Sequence, residues 1–431
     1  MNGLGVFGTR RRRVAVTGVG LVTGLGVGTA DTWKSLLDGV SAVAPVEEFD
    51  AGELSGKLSV RVTGFEPGEF ATKRVLRSMS YSDRLGLAAA SLAMRDAHAE
   101  VGDGQRDGLF IGSGKEISDP SHLLAATLAA RLPDGSVDVR RFGEIAPTSA
   151  YPLFYIEGLQ AASLFYVSQA FGFRGTNTYF DGSAEASAQA VASGYRAVRD
   201  DYADRALVGG VADAASWWGM AKLDSLGMLT PSTALGAQAC RPMGLGRDGT
   251  VPGDGAAFLL LEAWDSAVAR SATIYAEMIG EASTQEPLSA GPGGEGMSRA
   301  VAGALARGSR CPQEVGVVIA SASGSPDHDL SEALGLRSAL GEAVPVTSVV
   351  GSTGNLMAGL GALNAAVAVL SLHHGAIPPM ISSAPLDPAC SLSVVRDRPS
   401  PVSGEVGVST ARGLFGQNVA LAFRRSKGEQ C

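Results

Sequence analysis

The 431-residue sequence is poor in charge, poor in cysteine and without long apolar runs. Charged residues make up 18% of the chain, and acidic residues outnumber basic ones to give a net charge of −8. That balance supplies no global attraction for nucleic acid. Cysteine occurs four times, at Cys240, Cys311, Cys390 and Cys431, too far apart for a metal-ligand spacing. No metal is therefore expected, and a reduced, cytoplasmic compartment is the simple reading. Stretches such as Ala256–Leu261 are far shorter than the roughly 20 apolar residues a membrane-spanning helix needs, so no membrane role is expected. The run Arg10–Arg13 leads into Val14-Ala15-Val16-Thr17 rather than into an apolar segment with a cleavage site, and is read as the approach to a first strand.

What is abundant is glycine, 57 residues in all, beside a hydrophobic fraction of 45% and a slightly positive mean hydropathy. This is the composition of a well-packed enzyme-like protein, long enough for two domains or one duplicated unit. Short apolar runs end in glycine: Val14–Thr17 before Gly18, Leu109–Ile111 before Gly112, Ala206–Val208 before Gly209-Gly210, and Val317–Ala320 before Gly324. These read as buried strands closed by tight turns. Alanine-rich stretches with helical spacing, around Leu85–Met94 and Leu360–Leu370, alternate with them, which indicates a layered α/β fold. The segment Ala184–Val198 carries almost nothing larger than serine or valine on several faces, as a central helix between sheets requires. Residues 262–280 look like a junction between two halves that each hold a strand ending in a small-residue turn.

Three patterns suggest chemistry and are better explained otherwise. Gly18-Val19-Gly20-Leu21-Val22-Thr23-Gly24 resembles a dinucleotide fingerprint, but its third glycine is late and no acidic residue follows at the required distance. His373-His374-Gly375 reads as a helix C-terminus, where histidine meets the dipole and glycine caps. Asp327-His328-Asp329 sits in Gly/Ser/Pro-rich sequence and reads as a surface loop without a nucleophile partner. His98 and His122 are isolated.

The segment Arg241-Pro242-Met243-Gly244 through Arg247-Asp248-Gly249 to Gly253-Asp254-Gly255-Ala256 resembles a signature of β-ketoacyl synthases. So do Val14–Gly20, Gly209-Gly210, Ala376-Ile377-Pro378-Pro379 and Gly413-Leu414-Phe415-Gly416-Gln417-Asn418, in order over residues 13 to 425. The resemblance implies the α/β thiolase fold, two similar αβαβα halves in a five-layer arrangement, with boundaries at 13–265 and 266–425. It implies no cofactor. Such enzymes need a cysteine at the start of a buried helix, two histidines and backbone N–H groups for the oxyanion. Counting between Phe173-Arg174-Gly175 and Ala203-Asp204 places Ala184 at the cysteine position. Ser323 falls at the first histidine, Val350 at a lysine and Asn355 at the second histidine. Phe415 puts a ring where the family has glycine, beside Leu414.

A scaffold with its charge-handling groups replaced is similar to the chain length factors of type II polyketide synthases. The resemblance implies a heterodimer with a catalytic ketosynthase, an acyl carrier protein bearing the chain, and a non-catalytic role in shaping the acyl tunnel. Many such factors carry glutamine in place of cysteine, linked to malonyl decarboxylation; alanine here, with Gln189 more than a turn away, removes that expectation. Phe154, in Tyr151–Ile156, matches the tunnel-gating region, with Lys115 and Glu116 near the same interface. Two other readings remain: an autonomous acyltransferase using Ser183 with His328 as base, and a homodimeric acyl-binding scaffold.

Overall fold

A computed structural model describes residues 11–100, 102–115, 120–149, 152–287 and 291–426. Glu116, Tyr151 and Cys431 lie outside these, as does the side chain of His122. Ten strands carry the architecture: β1 Val14–Thr23, β2 Asp107–Ser113, β3 Asn177–Asp181, β4 Arg205–Asp213, β5 Asp254–Ala263, β6 Ala276–Gln285, β7 Val315–Ile319, β8 Pro345–Thr347, β9 Val406–Arg412 and β10 Gln417–Arg425. The first five run in the order β3-β2-β4-β5-β1, and the second five repeat it as β8-β7-β9-β10-β6. In both sets the first three strands are parallel and the last two pairings antiparallel. Three residue pairs, Val14–Met278, Ala15–Glu277 and Val16–Ala276, join the two half-sheets at one corner.

Five helices fill the layers: α1 Tyr81–Asp96, α2 Ala184–Arg199, α3 Glu295–Arg307, α4 Pro326–Leu340 and α5 Leu360–His374. Helix α1 covers the outer face of the first half-sheet and α3, backed by α4, that of the second. Helices α2 and α5 pack on each other and on strands of both halves, forming the middle layer. Every residue of β1 and β5 is buried, as strands covered on both faces must be. The stretch Met357–His374 is apolar and long enough to cross a membrane, contrary to the expectation from sequence. Burial accounts for this, since 83% of it is enclosed between the sheets.

Three of the four glycine sites read as turns lie instead within strands, because β1, β2 and β4 continue through Gly18, Gly112 and Gly209-Gly210, whereas Gly324 does turn the chain beyond β7 with φ 87°. A Cβ on Gly20 would stand 2.0 Å from the carbonyl oxygen of Ala89 in α1. The apparent dinucleotide fingerprint is therefore the floor on which a helix rests. In the middle layer, a Cβ on Gly361 would come within 2.3 Å of the Ala184 carbonyl oxygen. This contact lets α5 cross the first turn of α2. Ser187 of α2 then accepts the N–H of Ala362 at 3.0 Å, pairing one of the donors that a helix start leaves open.

Helix α5 ends at His374 with Gly375 in the left-handed conformation, φ 68°, as the His-His-Gly pattern suggests. His374 stacks on Trp33, and His373 meets Tyr275 at a tilt of 54°.

Two acids on one face of α4, three residues apart, fasten that helix to the second half-sheet. Asp329 accepts the backbone N–H groups of Met243 at 2.9 Å and Ser323 at 2.8 Å, and that of Gly324. Its burial nevertheless raises the pKa to about 6. Glu332 accepts the Thr410 hydroxyl at 2.6 Å and the Ser321 N–H at 2.9 Å. Burial outweighs these bonds and pushes it up to about 7, with neighbouring Asp329 adding to the rise.

Gly361→Ala is expected to lower the unfolding free energy by about 3 kcal/mol, because the new methyl meets backbone on a packed helix; urea unfolding measures it. Because the Glu332 pKa is raised on folding, its contribution is fully present below about 4.5 and is lost as pH rises through about 7. The unfolding free energy should therefore fall by about 2–3 kcal/mol over that window. Glu332→Gln keeps the Oε1 acceptor and should flatten this slope, read from unfolding curves at pH 5 and pH 8.

Candidate active site

Strand β3 runs into Gly182, whose φ of 152° turns the chain so that α2 starts at Ala184. Ser183 occupies the position before the helix, and its hydroxyl does not cap it. Its backbone N–H donates to Glu185 Oε2 at 3.2 Å. Glu185 is buried in the first turn, and that burial raises its pKa. The helix start thus presents its positive dipole end to an enclosed space.

That space is a small cavity of about 20 Å³, room for one water. Ser183, Ala184, Ser323 and Asn355 line it, so four positions singled out from sequence meet at one point. Val350 does not join them; it begins the short helix Val350–Thr353 inside the core. Asn355 is buried and tied at both ends, its N–H to the Val251 carbonyl at 2.7 Å and its Oδ1 to the Met357 N–H at 2.9 Å. Its amide NH₂ remains as a donor.

The reading of Asp327-His328-Asp329 as a surface loop is corrected. These residues form the first turn of α4, which delivers His328 to the same cavity, together with Asp329 and Glu332. Burial lowers the His328 pKa, and the nearby Arg412 lowers it further against the opposing pull of Asp327. His328 is therefore mainly a neutral imidazole at pH 7, with one ring nitrogen able to accept a proton and the other donating a hydrogen bond. Arg412 also lines the cavity, held by Glu286 at 3.0 Å and Asn418 at 2.9 Å. Glu332 and Arg412 were not identified from the sequence. The signal for the first was Asp329-x-x-Glu332, two acids spaced for one helical face; the second had none.

A larger cleft of about 710 Å³ adjoins the small cavity, and Ser183 and Leu414 line both. Phe415 lies at the cleft and is 60% exposed. Its N–H donates to Gln417 Oε1 at 3.0 Å. Trp217 and Trp218 form part of the wall. Lys115 forms another part, its ammonium 2.7 Å from Asp83 in a buried ion pair. Phe154 is buried edge-on to Tyr155 and lines neither cavity. Gln189 points elsewhere, donating to Ser283 at 2.7 Å. Among the described residues no cluster of three or more His, Cys, Asp or Glu side chains is placed to hold a metal.

Comparison with known proteins places this geometry. Residues 11–267 match the N-terminal domain of beta-ketoacyl synthase and residues 275–384 its C-terminal domain. The chain is 28% identical over 427 residues to 3-oxoacyl-[acyl-carrier-protein] synthase 2 of Synechocystis, covering 96% of this chain and 98% of that protein. A beta-ketoacyl synthase structure from Burkholderia phymatum superimposes with a TM-score of 0.86 at 25% identity, over 96% of this chain and all of the other. The ishigamide ketosynthase/chain length factor superimposes with a TM-score of 0.84 at 26% identity, over 97% and 100%.

These findings correct one expectation. The curated relatives that span the chain carry the name of a condensing synthase, so the assignment as a non-catalytic chain length factor is overturned. The ishigamide structure carries both names and does not reverse this. With both domains matched and the duplicated five-layer thiolase fold in place, the chain belongs to the β-ketoacyl synthase family.

Proposed function

We propose that this chain takes part in 3-oxoacyl-[acyl carrier protein] synthesis, handling acyl chains that an acyl carrier protein delivers as thioesters. The observation that carries this reading is the junction at Ser183 and Leu414. There a cleft large enough for an acyl chain meets a one-water cavity at the tip of a buried helix. In this reading the thioester carbonyl sits at the helix tip, where the positive end of the α2 dipole stabilises negative charge on its oxygen.

Around that point each side chain has a task. His328, neutral at pH 7, takes up a proton on its unprotonated ring nitrogen and can return it, and the Asn355 amide donates to an oxygen of the extender unit. Ala184, Ser323, Val350 and Asn355 stand at the positions of the family's cysteine, histidine, lysine and histidine. The methyl of Ala184 forms no thioester. The sulfur that carries the chain is therefore assigned to the pantetheine of the carrier protein or to a second ketosynthase-family chain assembled with this one.

The test uses acyl- and malonyl-loaded carrier protein with the purified chain, alone and co-expressed with a cysteine-bearing ketosynthase. 3-Oxoacyl product is read by mass spectrometry. His328→Ala and Asn355→Leu should each cut product formation by about 10²-fold, the scale of losing one proton-handling or oxyanion-directed group. Product yields that ignore both substitutions, or a chain that binds no loaded carrier protein, would overturn the reading.

A further inference from the structure

A carboxyl group stands where the large cleft meets the start of α2. Glu185 follows Ala184 in the first helical turn, is 8% exposed, and lines the large cleft but not the small cavity. Two glycines leave it its seat. A Cβ on Gly182 would stand 2.5 Å from the Glu185 Oε1, and one on Gly413 would stand 2.6 Å from its Oε2. Burial raises the Glu185 pKa; the backbone N–H groups of Glu185 and Ser183 oppose the rise by favouring the charged form, and Asp181, also on the cleft wall, adds to it. No ion pair joins Glu185 to a cation among the described residues. The cations nearby are committed: Lys115 to Asp83 at 2.7 Å, Arg412 to Glu286 at 3.0 Å, and Lys222 to an interaction of its own.

A thioester carbonyl brings only partial charge to this point, which the helix tip still accommodates. A free carboxylate brings a full one. It would face a like charge in a partly enclosed site, where screening by water is weak, and would find the Ser183 N–H already bonded to Glu185 at 3.2 Å. We propose that Glu185 is a specificity-determining residue that closes the large cleft to thioesters carrying a carboxylate beside the carbonyl, the malonyl type, and reserves it for uncharged acyl chains. This rests on the cleft being the acyl site of the function proposed above. It separates the two thioesters of that reaction, with the uncharged chain in the cleft and the anionic extender kept out of it. If Glu185 serves only to complement the helix dipole, as acids in a first turn commonly do, the charge of the ligand makes no difference to binding.

Calorimetry with the whole chain at pH 8 separates these cases. It compares the malonyl amide of pantetheine with the malonamoyl amide, which has the same shape and one charge fewer, and uses the octanoyl amide as reference; none of the three transfers its acyl group. The malonamoyl amide should bind about 10- to 100-fold more tightly than the malonyl amide, the scale of one like-charge contact in a partly enclosed site. Glu185→Gln keeps the size and the acceptor oxygen and removes the charge. It should bring the malonyl amide to within about threefold of the malonamoyl amide by tightening the malonyl amide alone. If that variant does not fold, Glu185→Ala gives the same reading. Equal binding of malonyl and malonamoyl amides by the wild type, or a preference that removal of the Glu185 charge leaves unchanged, overturns the role of Glu185 and leaves the proposed function standing. Failure of the malonamoyl and octanoyl amides alike to bind overturns the cleft as the acyl site, and this proposal with it.

Discussion

The approach of α2 to its neighbours is the constraint on which the remaining architecture depends. A Cβ on Gly112 would lie 2.3 Å from the Ser187 nitrogen, one on Gly210 would lie 2.4 Å from the Ser187 Cβ, and Gly361 meets the Ala184 carbonyl from the other side. The helix is held between a sheet and another helix at distances that only absent side chains permit. Because it cannot shift, its first residue is delivered to a fixed point, and β3, α4, α5 and the β9–β10 turn build their cavity walls around that point. The Ser187 hydroxyl adds direction to the packing through its bond to the start of α5.

Much of this was legible in the sequence, for a physical reason. Small-residue patterning in Ala184–Val198 marks a helix squeezed on several faces, and the structure has it in the middle layer. Alternation of strand and helix, with a repeat of the same plan, appears as the shared strand order of the two halves. Glycine was the misleading residue. Local reading treats it as punctuation, yet in β1, β2 and β4 it marks where a helix presses on a strand from a distant part of the chain. No window of sequence contains that partner.

The site shows the same division. Ser183, Ala184, Ser323 and Asn355 were placed by counting from family motifs, and all four line one cavity. His328 was misread because its neighbours, Gly324, Ser325 and Pro326, have the composition of a loop. Proline at the first helical position and acidic residues in the first turn equally announce a helix start, which is what they do here. Arg412 lay beyond reach, since its role arises from strand pairing that brings Glu286 and Asn418 beside it. Burial acts on all three neighbours at once, raising the Asp329 carboxyl to about 6 and Glu332 to about 7 while lowering the His328 imidazole.

The turn between β9 and β10 is only Gly413–Gly416, and two adjacent antiparallel strands grip both of its ends. Leu414 at its tip belongs to both compartments. The partition between them is thus placed by the sheet register on either side. A change in the bulk of this one side chain therefore alters both chambers together.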